Sequence, residues 1–171
     1  PYRQKSVAAT LAAVVGAPAT ARTLDISTTL RAASGAVMTA LDLVESGASR
    51  RVLVAVGEVR AVRPDSFDEQ GSGDAGAAVV IDAGKGGLVP VARASISEEF
   101  HGSWRREGSD YLQGFPGSLD AKLGYGRVMP QVISQAMSEA GVEAKDIGRA
   151  VICGPNPKLS MGLAAGLGFD V

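Results

Sequence analysis

Apolar residues recur along this chain at helical spacing in some stretches and in unbroken runs in others. Between Gln4 and Val15, the residues Val7, Ala8, Leu11, Val14 and Val15 stand three and four apart and predict a helix, which Gly16 and Pro18 end. A second helix carries Val37, Met38, Leu41 and Val44 on one face and Asp42 and Glu45 on the other. Ser34 reads as its N-cap and Gly47 as its C′ residue. A third is predicted over Val128–Ala140, with Val128, Val132, Ile133, Ala136 and Met137 inward and Pro130 in its first turn; a fourth spans Lys158–Leu167. Arg51–Val56 (RVLVAV) and Arg149–Cys153 are continuous apolar runs, the pattern of strands covered on both faces. Arg22–Ser27 is a shorter strand candidate. Gly76–Ile81 and Leu88–Arg93 read as a hairpin joined by the turn over residues 82–87, with Pro90 placing its second strand at an edge or bulge. Arg60–Gly73 reads as a polar loop, and the glycine-rich stretch Glu98–Gly126 is too long for a routine connection. The predicted order α-β-α-β-β-β-α-β-α implies a layered α/β fold with a mostly parallel sheet.

Composition narrows the function more than the fold. The 171 residues include 17 basic and 18 acidic side chains, so the net charge of −1 excludes a general nucleic-acid binder. No apolar run approaches the roughly 20 residues of a membrane span, and no signal-peptide pattern opens the chain; a cytoplasmic protein is expected. The single cysteine excludes an internal disulfide and a cysteine-rich zinc site, so no metal centre is predicted. The opening Pro1, in place of Met, points to a missing upstream piece.

The most suggestive chemistry lies where the strand candidate ending at Ser27 turns into the second helix. Unpaired N–H groups and the helix dipole make such a mouth a good seat for a nucleophile. The turn nevertheless carries Ala32 and Ala33, and the only cysteine is Cys153. Ser34 has an alcohol, but no base stands near it in sequence, and its simpler reading is an N-cap.

Five stretches, in order, carry a resemblance: residues 1–6 (PYRQKS), Leu30–Arg60, Glu69–Ile81 (EQGSGDAGAAVVI), Trp104–Tyr111 (WRREGSDY) and Ile152–Asp170 (ICGPNPKLSMGLAAGLGFD). Together they resemble the thiolase-like superfamily, most nearly the branch of ketoacyl-ACP synthase III and archaeal-type hydroxymethylglutaryl-CoA synthase. The resemblance implies an αβαβα layered fold with mixed sheets, of which this chain covers only part of two pseudo-repeats. Residues 1–87 would be the second part of the N-terminal repeat and residues 88–171 the first part of the C-terminal one.

In that family a cysteine at the helix mouth attacks a thioester and a histidine assists. The resemblance places the cysteine position at Ala32 or Ala33, beside the pocket candidates Ser34 and Gly35, and the histidine position at Cys153. No intact catalytic residue is therefore expected. A thiol does not match imidazole as a proton carrier near neutral pH, and Cys153 reads either as a buried structural residue or as a thiol lining the old cleft. Asn156 and Lys158 match the family's asparagine and basic residue after the histidine; Asn156 also fits plain turn chemistry in Gly154-Pro155-Asn156-Pro157. Trp104, Arg105, Arg106 and Lys158 are acyl-CoA-binding candidates, guanidinium being suited to phosphate; Arg105 and Arg106 read otherwise as a solvated pair beside a packed indole. His101 reads as a surface loop residue and Asp74 as a turn residue. Tyr111 and Tyr125 read as core or cover, with phenol acid/base chemistry as the alternative.

The implied function is a non-condensing or partner-dependent homologue of these synthases, with acyl-CoA as the substrate class and no cofactor. The alternative is an active acyltransferase or condensing enzyme whose missing residues come from a partner or from absent segments. Implied partners are a homo- or hetero-oligomer with a thiolase-fold subunit and a zinc-ribbon/OB-fold protein.

Overall fold

The computed structural model describes residues 5–27, 29–84, 86–100, 102–115 and 117–170. Its elements are α1 (Val7–Val14), α2 (Ala32–Glu45), β1 (Arg51–Glu58), α3 (Phe67–Gly71), β2 (Ala75–Asp82), α4 (Gly117–Leu119), a π-turn (Asp120–Tyr125), α5 (Gly126–Ala140), a 3-10 turn (Ala144–Asp146) and α6 (Pro157–Gly166). They divide into two compact units, Pro1–Glu58 with Ala75–Lys85, and Val59–Asp74 with Gly86–Val171.

In the first unit β1 and β2 pair antiparallel, from Arg51 opposite Asp82 to Glu58 opposite Ala75. Side chains alternate across the pleat, so Val54 and its partner Val79 share one face while Leu53 and Val80 share the other. Helix α2 packs on the strands, and Ala40 and Val54 form the buried centre. Leu53 and Val80 remain 47 % and 55 % exposed. The expected strand covered on both faces is therefore corrected: one face takes a helix and the other stays open. The expected mostly parallel order is corrected as well, because among the described residues the only ladder is antiparallel.

The strand candidate Arg22–Ser27 is extended but joins no ladder. Side chains pin it instead. Asp25 Oδ1 accepts the N–H of Ala8 at 2.9 Å, and Arg22 donates to the Ala48 carbonyl at 3.1 Å and to Ser49 Oγ at 3.0 Å. The Ser6 hydroxyl caps α1 by accepting the N–H of Ala9. Gly47 takes φ +74 just beyond α2, as a C′ residue must.

In the second unit the predicted loop Arg60–Gly73 contains α3. Ser66 caps it by accepting the N–H of Glu69, whose carboxylate accepts the N–H of Asp65 at 2.8 Å. Neither Leu88–Arg93 nor Arg149–Cys153 forms a strand. Extended backbone becomes sheet only where another edge meets its N–H and C=O groups, and β2 meets β1 rather than the expected hairpin mate. Leu88 and Val151 are 100 % and 92 % exposed. Lys85, within the predicted hairpin turn, lies outside the described residues. The stretch Glu98–Gly126 is anchored by a bridge in which Trp104 and Gln113 exchange N–H···O bonds of 2.8 Å.

Helix α5 begins at Gly126, so Pro130 sits inside it and not in its first turn. Helix α6 ends in a Schellman motif: Gly168 takes φ +84, its N–H donates to the Ala165 carbonyl, and the Phe169 N–H donates to the Ala164 carbonyl. Phe169 and Ala164, the hydrophobic pair of that motif, are the buried residues of this unit's helix pair.

Candidate functional site

The mouth of α2 lies in the first unit. The helix begins at Ala32 with Arg31 as N-cap, three residues earlier than expected, and Arg31 makes no side-chain capping bond. Ser34 is consequently inside the first turn and not its cap. Its hydroxyl donates to the Arg31 carbonyl at 3.1 Å, which turns it toward its own backbone. A Cβ added at Gly35 would meet nothing within 4 Å, so no close approach demands a glycine there. Beneath the mouth is a cavity of about 230 Å³ lined by Ala33, Ser34, Val37, Val54, Val56, Ala77, Ala78 and Val79. Its lining has one hydroxyl and no titratable group. Nothing in it can make a thiolate or hold a metal.

The second candidate turn, Cys153 to Asn156, lies in the second unit. Cys153 is exposed, which overturns its reading as a buried structural residue. The Tyr125 hydroxyl donates to the Cys153 carbonyl at 3.0 Å. Asn156 is the N-cap of α6: its Oδ1 accepts the N–H of Leu159 at 3.0 Å, and Pro157 follows at N1, where its missing N–H costs nothing. The turn alternative is the one this geometry shows. Asn156 makes the turn through its oxygen, and its Nδ2 group is left to donate elsewhere. Lys158 stands exposed in the first turn of α6, where the ammonium would meet an anionic group arriving at the N-terminus.

Trp104 is half-buried and meets Phe115 edge to face, with ring centroids 5.6 Å apart. Arg105 and Arg106 are exposed beside it. Tyr111 is also exposed, while Tyr125 is half-buried. Asp74 is exposed and directly precedes β2, in keeping with a turn role. His101 lies outside the described residues. Among the described residues no group of histidine, cysteine and carboxylate side chains has metal-site geometry. No helix is long and apolar enough to cross a membrane among them. Sequence reading passed over the contact between Tyr125 and Cys153; only the presence of a tyrosine beside the predicted third helix hinted at it.

The chain aligns along 97 % of its length with a 3-oxoacyl-(acyl-carrier-protein) synthase III structure, at TM-score 0.72 and 18 % identity over 57 % of that chain. With 3-oxoacyl-[acyl-carrier-protein] synthase III from Aquifex aeolicus VF5 the TM-score is 0.85, at 22 % identity, covering 99 % of this chain and 55 % of the other. The fold is thiolase-like. A structure of MvaS in complex with 3-hydroxy-3-methylglutaryl coenzyme A agrees, at TM-score 0.69 and 17 % identity over 91 % of this chain and 37 % of that one. In sequence, this thiolase-like chain is 29 % identical over 169 residues to a hydroxymethylglutaryl-CoA synthase from Methanocella arvoryzae and 27 % identical over 170 residues to one from Methanopyrus kandleri. Each alignment takes in 99 % of this chain, which spans about half (48 %) of the length of those relatives. No family profile matches the chain.

Proposed function

We propose that this thiolase-like chain handles acyl-CoA without forming an acyl-enzyme. It is a non-condensing or partner-dependent homologue of hydroxymethylglutaryl-CoA synthase. The observation that carries the reading is the mouth of α2, where Ala32 and Ala33 have no reactive atom and the Ser34 hydroxyl is turned onto the Arg31 carbonyl. A serine becomes a nucleophile when a base takes its proton, and the cavity lining offers none. Cys153, Asn156 and Lys158 supply a thiol, an amide donor and a cation at the other turn. Those groups suit binding and polarising a thioester carbonyl better than condensation. On this reading residues 1–87 and 88–171 derive from the two pseudo-repeats, and Arg105 and Arg106 are candidates for the CoA phosphates. A thiolase-fold subunit and a zinc-ribbon/OB-fold protein are the proposed partners.

The test is incubation with radiolabelled acetyl-CoA followed by a denaturing gel, with calorimetry for CoA in parallel. Heat of binding without covalent label is the expected result. A stable label on this chain would overturn the reading. It would favour the alternative of an active condensing enzyme, which has on its side that the chain spans only half the length of its relatives. Absence of any binding heat would leave a structural subunit.

A further inference from the structure

The wide turn before α5 carries a tyrosine to a place where a regular helix would not put it. The N–H of Gly126 donates to the Ala121 carbonyl, five residues back, as a π-turn requires. That oxygen stands so close that a Cβ on Gly126 would collide with it, so the turn and its glycine come as a pair. Tyr125, the last residue of the turn, reaches across to donate to the Cys153 carbonyl at 3.0 Å.

Gly154 is held from two sides. A Cβ there would lie 2.7 Å from the Tyr125 phenolic oxygen and would overlap Ser160 Oγ. Any side chain at position 154 must therefore displace the phenol, the serine or the turn itself. Ser160 Oγ also donates to the Asn156 carbonyl at 3.4 Å, and Asn156 Oδ1 is committed to the Leu159 N–H. Asn156 and Pro157 suffice to start α6. The bond from Tyr125 adds nothing to that start; what it constrains is the backbone of the turn upstream.

We propose that Tyr125 is a positioning residue. Its hydroxyl fixes the turn from Cys153 to Asn156, and through the turn it sets the direction in which the Asn156 Nδ2 group meets an acyl carbonyl. The inference rests on the acyl-CoA reading above for what the turn binds, and on geometry alone for what Tyr125 does to the turn.

The sole cysteine provides the readout. Labelling the chain with carbonyl-13C cysteine gives one resonance, from the carbonyl that Tyr125 contacts. In Tyr125→Phe that resonance moves upfield as the bond is lost, and acetyl-CoA affinity falls about three- to tenfold, the worth of one neutral hydrogen bond. Ser160→Ala removes a neighbour without touching the carbonyl and leaves the resonance in place. An unmoved resonance in Tyr125→Phe overturns the positioning role, and so does a moved resonance with unchanged acetyl-CoA affinity. If the unsubstituted chain binds no acetyl-CoA while the resonance still responds to Tyr125→Phe, the acyl-CoA reading has failed and the contact on the turn has not.

Discussion

The two helix mouths of this chain carry similar resemblance and opposite construction. At α2 the N-cap is an arginine with no capping bond, the neighbouring serine folds onto its own backbone, and the glycine beside it has open space. At α6 an asparagine caps through its side chain, a proline follows at N1, a phenol holds the preceding carbonyl and a glycine is pinched between two hydroxyls. A turn held by side-chain hydrogen bonds has a defined donor geometry. A turn lined by alanine and valine offers only shape. The comparison teaches that matching a motif position says little until the contacts that hold the position are known.

The largest effect is expected away from either mouth. Phe169→Ala removes the only large buried side chain of the Schellman motif that ends α6, at a cost of about 3–5 kcal/mol. Urea unfolding of the full chain measures it; a loss under 1 kcal/mol would show that the far end of α6 does not support its mouth. Next comes the cap. Asn156→Ala should cost about 1 kcal/mol, whereas Asn156→Asp keeps the capping oxygen and the stability but exchanges the amide donor for an acceptor. On the proposed function both variants lose acetyl-CoA affinity, and retention of affinity in Asn156→Asp would reduce this residue to a cap. The bare mouth responds in the other direction. Arg31→Asp gives α2 an acceptor for its free N–H groups and a charge that suits the helix dipole, so thermal unfolding should move upward by roughly 0.5–1 kcal/mol. No gain would mean that this N-terminus is already satisfied.

Local periodicity revealed the four principal helices, because spacing at three and four residues needs no knowledge of the partner. The ladder was beyond it. RVLVAV says that a strand forms over Arg51–Val56, but its partner β2 lies beyond an intervening segment that belongs to the other unit. The glycines of residues 82–87 pointed instead to the adjacent run Leu88–Arg93, which joins no ladder among the described residues. Helix α3 was announced by Ser66 and Glu69, three apart, and this signature was overlooked among the surrounding polar residues. Of the site, the turn at Asn156 was legible because the chemistry of Gly154-Pro155-Asn156-Pro157 is local. The contact from Tyr125 joins residues 28 apart through a π-turn, for which short-range pattern has no signature. The thiol's exposure was likewise a matter of which elements do not cover it.

The smallest effect distinguishes the units by acid. The Ser6 hydroxyl, followed by the Ala8 N–H, holds the Asp25 carboxyl below its ordinary 3.8. The Gly84 N–H, followed by Arg51, does the same for Asp82. Both residues belong to the first unit, where Asp25 ties the extended segment to α1 and Asp82 meets Arg51 across the end of the ladder. A folded pKa below the unfolded one means that the unfolded chain takes up protons first. The stabilisation is therefore complete above about pH 3.8 and drains away as pH falls through the lower folded values. Amides of β1 and β2 should lose hydrogen-exchange protection on acidification before the fluorescence of Trp104, in the second unit, responds. Asp25→Asn and Asp82→Asn should flatten the acid slope for the first unit and leave the Trp104 signal alone. Both carboxylates are solvent-exposed, so the slope is shallow. A slope unchanged in the double variant would show that the hydrogen bonds at these carboxylates are too weakly held to distinguish the units.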